Sequence, residues 1–337
     1  MEQSRKKSVV VIGGGTGTYT LLSGLKEYAG EIALKAVISM ADSGGSTGRL
    51  RDEFGYLPVG DVRSALAALA KETNGHDDLL RKLFLYRFDR GEGLSGHTFG
   101  NLFLIALTDI LGSEAAAIEA AGKVLATCGE VVPVTHDNVH LYARFTTGEV
   151  LMDEHAIDEG NHVSPLSRIE QIWLEPSARV NRRAAEVLRE ANLIVLGPGD
   201  FYTSILANCI VDGVPEALGH TQAKIAYVLN LMSRRGQAAN MGSEEYLAEI
   251  KRYIGREPDY MFVHNGHVRD DLLSHYEAQG EYPVPHTYRG SSVRVIQGDF
   301  VSEGDVVLSR GDVVKRSLIR HDREKLARAI IEVLTQT

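Results

Sequence analysis

The sequence has the composition of an ordinary globular protein. It contains 337 residues, of which 44% are hydrophobic and 24% are charged, and its formal net charge is -9 at pH 7. These values exclude collagen-like, coiled-coil and disordered chains. The acidic balance argues against a protein whose main function is nucleic-acid binding, because that function usually needs a basic surface. Small anionic ligands are compatible with it, since backbone amides and a few arginines bind phosphate even in acidic proteins.

Cysteine usage and hydropathy exclude further classes. Cys128 and Cys209 lie far apart in apolar stretches, and two such cysteines predict reduced core thiols rather than a disulfide framework or a zinc site. Residues 1–7 are polar, do not resemble a signal peptide and are predicted to be disordered. Since no stretch reaches the ~20 apolar residues of a membrane span, we expect a cytoplasmic protein with neither a membrane span nor a nucleic-acid partner.

The first elements alternate between buried strands and helices. Ser8 to Ile12 is predicted to be a strand buried on both faces, followed by glycines and a helix from about Tyr19 to Tyr28. Leu34 to Met40 predicts a second strand. This alternation predicts right-handed βαβ units. The expected fold class is therefore α/β, a doubly wound, mostly parallel, Rossmann-like sheet.

The middle of the chain changes character. Apolar spacing predicts helices over Arg63 to Ala70 and Thr98 to Leu111. From about residue 131 to 170, short alternating pieces such as Leu141 to Phe145 are separated by polar turns, which predicts a β-rich antiparallel insert. His136 and His140 fall in this extended segment, so their spacing does not predict a zinc site.

Later strands again end in polar loops. Strands are predicted over Ala191 to Leu196, Lys224 to Leu229 and Tyr260 to Val263, and an amphipathic helix over Asp322 to Leu334. In an open α/β sheet, ligands bind beyond the carboxyl ends of the strands. We therefore expect a single domain over residues 8–334 with a ligand site at that edge.

The segment after the first strand predicts phosphate binding. Gly14, Gly15, Thr16 and Gly17 follow a strand and open a helix, where backbone amides and the helix dipole favour an anion. The segment fits neither Gly-x-Gly-x-x-Gly nor the P-loop, which disfavours an NAD enzyme or a P-loop ATPase. The alternative is that these glycines only allow tight strand–helix packing.

The loop after the second strand combines small, polar and charged residues. Asp42, Ser43 and Gly44 are predicted to contact the ligand, with Arg49 and Arg51 neutralising phosphate. The alternative is a solvated surface turn. Asp61 either joins this site or caps the next helix.

Two further loops carry candidate residues. His97 is either a general base or a structural hydrogen-bonder, and no catalytic triad or carboxylate pair can be assembled from the spacing, so no catalytic residue is predicted. After the central strand, the phosphate or base-binding pattern recurs, and its candidate ligand contacts are Gly197, Gly199, Asp200, Tyr202 and Thr203.

Taken together, these motifs resemble the YvcK family of gluconeogenesis factors, which shares its fold with the CofD phospholactate transferases. The resemblance runs from Val9 to Leu334 and rests mainly on the segments 11–17, 41–51, 60–63, 96–102 and 197–204. It implies a CofD-like fold and a cytoplasmic protein that binds a UDP-sugar, typically UDP-N-acetylglucosamine. It also implies a role in carbon metabolism and in cell-shape and envelope morphogenesis, and it favours a non-catalytic regulator.

The resemblance also implies roles for single residues. Asn101 and Asn230 make polar contacts, Tyr276 stacks on uracil and Arg320 meets the diphosphate. No cofactor is expected beside the nucleotide-sugar, and a homodimer is compatible with the family. The alternative is a CofD-like, magnesium-dependent transferase that moves a phospholactyl group from a guanosine diphosphate conjugate to a deazaflavin, with Asp42 and Asp61 around the metal.

The sequence departs from the family pattern at three places. Ser43 stands where many relatives have a second Asp, so the carboxylate pair suited to magnesium is missing, which favours binding over transfer. Asp200 replaces a usual Ser, and residues 233–237 replace a Thr-Gln-x-Gly-Glu pattern with a segment containing Arg234, Arg235 and Gln237. An extra carboxylate weakens diphosphate binding unless it faces the sugar or a cation.

Overall fold

The computed structural model describes residues 6–71, 76–160, 163–164, 166–304 and 317–336. The strands of this part of the chain are β1 (Lys7–Gly13), β2 (Ile32–Ile38), β3 (Glu130–Pro133), β4 (His140–Phe145), β5 (Val150–Met152), β6 (Ile169–Glu175), β7 (Leu193–Leu196), β8 (Lys224–Val228), β9 (Tyr260–His264) and β10 (Arg294–Gly298).

The helices of the described residues connect these strands. They are α1 (Gly15–Leu25), α2 (Gly45–Phe54), α3 (Gly60–Leu69), α4 (His76–Leu85), α5 (Phe99–Leu111), α6 (Glu114–Val124), α7 (Glu154–Glu159), α8 (Arg182–Arg189), α9 (Ala207–Cys209), α10 (Val214–His220), α11 (Ser243–Ile254), α12 (Asp270–Glu277) and α13 (Arg323–Gln336). A 3₁₀ turn, Lys26–Tyr28, extends α1, and a π-helical turn, Phe201–Leu206, leads into α9.

Seven strands form one parallel sheet in the order β10-β9-β8-β7-β1-β2-β3. The predicted doubly wound, mostly parallel α/β fold is confirmed. The chain builds outward from β1 through β2 to β3, then returns to the centre at β7 and builds in the opposite direction. The strand order therefore reverses between β1 and β7, and such a switch point leaves a crevice at the carboxyl ends of the two strands.

The central strands are apolar because both faces of the sheet are covered. All four residues of β7 are buried, as are six of the seven residues of β1. Continuous burial of this kind is typical of parallel strands between helical layers. Helix α13 packs on α1, where Gly24 lies against the backbone carbonyl of Arg323 and has no room for a side chain.

A second, antiparallel sheet has the strand order β5-β4-β6. It matches the predicted β-rich insert, but its bounds differ. Strand β3 belongs to the parallel sheet, and the small sheet extends to Glu175. Helix α7 follows β5 and projects from this insert toward the carboxyl edge of the main sheet, where His155 N donates a hydrogen bond to Ser43 Oγ.

Two helices differ from the sequence prediction. Helix α1 begins at Gly15 and not near Tyr19, because the glycine-rich segment itself forms its first turn. The segment predicted as a wrapping loop after β2 is largely helix α2, whose extended N-cap is Gly44 and whose first residue, Gly45, has φ +48. Only glycine adopts that conformation without strain.

The remaining structural predictions concern the termini, the cysteines and the membrane. Residues 1–5 of the predicted disordered segment lie outside the described residues, and Lys7 begins β1. Cys128 and Cys209 are both free thiols. In the described part of the chain, no helix combines the length and the apolar character needed to cross a membrane.

Candidate functional site

A cleft opens where the strand order reverses, and we call it the switch-point cleft. Nine of the predicted ligand contacts line it: Gly14, Gly15, Thr16, Gly17, Gly199, Asp200, Asn230, Tyr276 and Arg320. They come from both glycine-rich loops, from the end of β8, from α12 and from the segment before α13. The structure thus brings together residues more than 300 positions apart in sequence.

The two glycine-rich loops touch at the floor of the cleft. A Cβ added to Gly17 would lie 2.5 Å from the carbonyl oxygen of Pro198 and 2.8 Å from the amide nitrogen of Gly199. Asn230 fastens the second loop, since its Nδ2 donates to the Gly199 carbonyl at 2.8 Å while its Oδ1 accepts from the Tyr227 hydroxyl at 3.0 Å. Asn230 therefore positions a loop.

The first turn of α1 presents backbone amides to the cleft. Its N-cap is Gly14, which has no side chain to accept a hydrogen bond from the turn. The amides of a first helical turn lack intrahelical acceptors, and the helix dipole favours an anion beside them. One of them is taken, because Gly15 N donates to Asp61 Oδ1 at 2.8 Å. Asp61 lies in the first turn of α3 but caps α1.

The opposite side of the cleft is formed by the segment before α13. Tyr276 is only 7% exposed, and its hydroxyl accepts hydrogen bonds from Leu318 N at 2.7 Å and Ile319 N at 3.4 Å. Little of its ring is therefore accessible to a base. Tyr276 instead anchors the backbone beside Arg320, whose Nε donates to the Ser317 carbonyl at 2.7 Å.

Five mutually interacting carboxylates lie beside the cleft, and we call them the acidic wall: Asp42, Asp61, Glu154, Asp158 and Asp200. Of these five, Asp200 lines the cleft itself. Burial, with the neighbouring Asp42, raises the pKa of Asp61 to about 7. Burial and Asp158 raise the pKa of Glu154 well above its ordinary value. Burial also raises the pKa of Asp42, although Gly44 N donates to its Oδ1 at 2.9 Å. Asp61 is therefore partly protonated near neutral pH.

The acidic wall meets a basic and an amide side chain at one end of the cleft. Arg234 Nε lies 3.9 Å from Asp200 Oδ1, and Asp200 raises the pKa of Arg234. Enclosure and the nearby Asp158 raise the pKa of Asp200 to about 6, although 41% of its side chain is accessible to solvent. Gln237 lies beside them and is 1% exposed.

Seven predicted contacts do not line the cleft. Asp42 belongs to the acidic wall, and Ser43 and Gly44 meet α7 of the insert. Gly197 lies behind the floor with φ +79. Thr203 donates to Asp158 Oδ1 at 2.8 Å. The remaining two, Asn101 and Tyr202, are buried.

Buried hydrogen bonds hold Asn101 and Tyr202. Asn101 Nδ2 donates to Ser46 Oγ at 3.1 Å, and that hydroxyl lies 3.0 Å from His97 Nδ1. The Ser46 hydroxyl thus joins Asn101 and His97 in one buried hydrogen-bonded chain, which holds the His97 imidazole in place. Tyr202 packs against Phe201, and its hydroxyl points to Ile169 O and Glu249.

The two arginines of α2 are also held away from the cleft. Arg49 donates to the carbonyl of Ser95 at 3.0 Å, and Arg51 is buried and donates to the carbonyl of Val139 at 2.7 Å. The prediction that they neutralise phosphate is therefore not supported. Arg49 and Arg51 were predicted to neutralise phosphate because the segment after β2 was interpreted as a loop, whereas it forms helix α2.

Comparisons with known proteins show the family of this chain. The family model described as 2-phospho-L-lactate transferase CofD matches residues 9–301. A gluconeogenesis factor of Halalkalibacterium halodurans is 35% identical, over 97% of this chain and 97% of its own length. The chain belongs to the gluconeogenesis factor family. A gluconeogenesis factor of Bacillus subtilis is 32% identical, over 98% of this chain and 99% of its own.

The fold of this gluconeogenesis factor family member is similar to that of a protein with a known crystal structure. A crystal structure of a Bacillus halodurans protein superposes with a TM-score of 0.85 at 33% identity, covering 97% of this chain and 100% of that chain. The resemblance to the gluconeogenesis factors and to the CofD fold is thus confirmed.

The carboxylates beside the cleft can be compared with the needs of a metal ion. Among the described residues, no group of three or more His, Cys, Asp or Glu side chains is arranged to hold a metal ion. In Asp42 and in Asp61, one carboxylate oxygen accepts a hydrogen bond from a glycine amide. Magnesium often binds through one or two carboxylates together with substrate phosphates. These two residues fit such a role only with a bound phosphate.

Several cleft residues were not predicted as ligand contacts. They include Thr20, Met232, Arg234, Gln237, Glu281, Ser317 and His321. Burial and the nearby His264 lower the pKa of His321 to about 4, so this imidazole is neutral at neutral pH. The departure of residues 233–237 from the family pattern pointed to Arg234 and Gln237. No local pattern distinguishes Glu281.

Proposed function

We propose that this protein binds a nucleoside diphosphate sugar, UDP-N-acetylglucosamine in the first place, in the switch-point cleft. It acts in the cytoplasm as a regulator of carbon metabolism and of cell-shape and envelope morphogenesis, without a reaction of its own. The observation that carries the proposal is the meeting of Gly17 with the Pro198–Gly199 loop at the N-terminus of α1, with Arg320 across the cleft.

The floor of the cleft suits a diphosphate. Two loops without bulky side chains allow close approach of an anion to backbone amides at a helix N-terminus. Arg320 adds a guanidinium that matches phosphate oxygens. Asp61 opposes this attraction when it is ionised, but its pKa of about 7 leaves it partly protonated at neutral pH.

The regulatory role is supported by the relatives. Those from Halalkalibacterium halodurans and Bacillus subtilis are both called gluconeogenesis factors. The loops that would hold the ligand directly follow β1, β7 and β8, which are central strands of the parallel sheet. Ligand binding would therefore act on the centre of the sheet. A ligand that binds only the folded state at one hundred times its dissociation constant stabilises it by about 2.7 kcal/mol.

Calorimetric titration of the purified protein tests the proposal. We expect micromolar binding of UDP-N-acetylglucosamine and no comparable binding of GDP with magnesium. Arg320→Ala should weaken UDP-N-acetylglucosamine binding about tenfold or more, because a charged hydrogen bond contributes about 1.5–3 kcal/mol.

A matched arginine variant is the control. Arg182→Ala removes a side chain that is 94% exposed on α8 and should bind as the wild type does. Failure of the wild type to bind any uridine nucleotide would reject the proposed function. Equal affinities of Arg320→Ala and Arg182→Ala would reject the role of Arg320 alone.

A second candidate function is a magnesium-assisted transferase. It is favoured by the electrostatic coupling of Asp42 and Asp61 beside the phosphate loops and by the CofD family model. In this case Asp42 and Asp61 would hold the cation, which would neutralise the transferred phosphoryl group. GDP binding that depends on magnesium and is lost in Asp42→Asn would favour the transferase.

A further inference from the structure

One end of the switch-point cleft is lined by Asp200, Arg234, Gln237 and Glu281, and we call it the polar end. It holds two carboxylates and one guanidinium. Arg234 is already engaged by Asp200 at 3.9 Å and donates to the Asp158 carbonyl at 3.3 Å. A phosphate here would meet the surplus negative charge. Neutral hydroxyl and amide groups, by contrast, suit carboxylate acceptors.

The polar end follows directly from the phosphate loop. Asp200 is the next residue after Gly199, whose amide nitrogen contacts Gly17 at the start of α1. A diphosphate on the α1 amides therefore places the group attached to its second phosphate near Asp200. In a nucleoside diphosphate sugar, that group is either the sugar or the nucleoside, and the chemistry of the polar end fits the sugar.

Gln237 carries an unused acceptor at this position. Its Nε2 donates to Asp158 Oδ1 at 2.8 Å and to the Ile157 carbonyl at 3.4 Å. Both partners are acceptors, so the amide can face them only with its nitrogen. The Oε1 atom is buried and accepts no hydrogen bond from any described residue. A buried acceptor without a donor is costly and rare in native proteins.

Hydrogen bonds hold the backbone of Gln237 on both sides. Gln237 N donates to the Arg234 carbonyl at 3.2 Å, and the Gln237 carbonyl accepts from Ile169 N at 2.9 Å, at the start of β6. The preceding Gly236 has φ +75 and contacts Val163. With the backbone held and Nε2 bonded to Asp158 Oδ1 and the Ile157 carbonyl, the side-chain amide keeps its orientation.

We infer that Gln237 is a specificity-determining residue for the sugar of the ligand. This inference rests on the proposed function. Gln237 Oε1 accepts a hydrogen bond from a hydroxyl or from the acetamido N–H of the sugar, while Asp200 and Glu281 accept from neighbouring hydroxyls. Gln237 therefore contributes to the affinity for a UDP-sugar but not to the affinity for UDP.

Calorimetric titration of wild type and Gln237→Met with UDP, UDP-glucose and UDP-N-acetylglucosamine tests the inference. The variant should lose about tenfold in affinity for UDP-N-acetylglucosamine and keep the wild-type affinity for UDP. A matching loss for UDP-glucose identifies a hydroxyl as the donor. A loss confined to UDP-N-acetylglucosamine identifies the acetamido group. Gln171→Met, on the exposed face of β6, should retain all three affinities.

Other outcomes overturn the inference. An equal loss for UDP and the UDP-sugars places Gln237 under the nucleotide, and unchanged affinities exclude a ligand contact. No binding of any uridine nucleotide to the wild type rejects the proposed function and the inference with it. Should Gln237→Met not fold by circular dichroism, Gln237→Asn keeps an amide, withdraws the acceptor by one methylene, and is judged by the same ratios.

Discussion

The floor of the switch-point cleft and the acidic wall beside it are built on opposite principles. The floor consists of backbone amides and glycines held by close contact, as between Gly17 and Pro198. The wall consists of carboxylates that lie close to one another, and burial together with neighbouring carboxylates raises the pKa values of Asp61 and Glu154. The floor owes its function to shape, whereas the wall depends on protonation. Shape is insensitive to pH, so the two regions can be separated experimentally.

The largest effect is expected from filling the contact between the two glycine loops. In Gly17→Ala the new Cβ meets the Pro198 carbonyl oxygen at 2.5 Å, and overpacking of this kind costs about 1–3 kcal/mol. Displacement of the loops should also lower UDP-sugar affinity about 100-fold, since misplacing α1 amides removes several hydrogen bonds at once. Urea denaturation and calorimetric titration measure the two losses.

Gly30→Ala is the matched control for this variant. Gly30 is exposed and has no atom within 4 Å of an added Cβ, so stability and affinity should stay near the wild-type values. Wild-type affinity in Gly17→Ala would show that the contact between the loops does not shape the site.

A smaller effect should come from removing one charge of the acidic wall. The pKa of folded Asp61 is about 7, above its ordinary value of 3.8. The folded state therefore binds this proton more tightly than the unfolded state, and stability is lost as pH rises from about 4 to about 7. Asp61→Asn should raise the free energy of unfolding by about 2 kcal/mol at pH 8 after allowance for solvent screening, and by much less at pH 4.

Urea denaturation at pH 4, 6 and 8 measures this dependence. The amide oxygen that Asp61→Asn introduces can still accept the hydrogen bond from Gly15 N, so the variant removes mainly charge. Asp89→Asn, at an exposed position, should change stability little at every pH. A gain for Asp61→Asn that is the same at pH 4 and pH 8 would contradict an electrostatic origin.

The smallest effect is expected at the opposite side of the cleft. Tyr276→Phe keeps the buried ring but removes the hydroxyl that accepts from Leu318 N at 2.7 Å. We expect a loss of about 1 kcal/mol in stability and a severalfold weaker UDP-sugar affinity, because the backbone beside Arg320 is released. Tyr282→Phe, where the residue is 50% exposed, is the control. If the base stacked directly on Tyr276, the phenylalanine would retain full affinity.

The sequence predicted five of the seven parallel strands, β1, β2, β7, β8 and β9, because these are apolar runs. Strand β10 was not predicted, since it has exposed and half-buried residues and no continuous apolar run. In β1 and β7, burial on both faces leaves a continuous signal. Helix α2 was missed since Gly45, Ser46, Thr47 and Gly48 have low helix propensity. Its helical state depends instead on the left-handed Gly45 and on tertiary contacts, such as the Arg51 bond to Val139 O.

The site was predictable where its chemistry is local to one segment. Both glycine loops could be located because a close backbone approach requires glycine. The polar end joins Asp200, Arg234, Gln237 and Glu281 from three separate segments, and sequence spacing carries no signal for such a meeting. Glu154 and Asp158 lie four residues apart on α7, a pattern that is equally typical of a solvated helix.

The strand order also has a consequence for the newly made chain. Strand β1 leaves the ribosome about 180 residues ahead of its neighbour β7, as the pairing of Val9 with Leu193 shows. At synthesis rates of about 5–20 residues per second, one edge of this apolar strand waits about 10–40 s for its partner. During that interval it is an open template for other strands. The central position that later shapes the cleft thus leaves the nascent chain with an unpaired apolar strand edge until β7 is made.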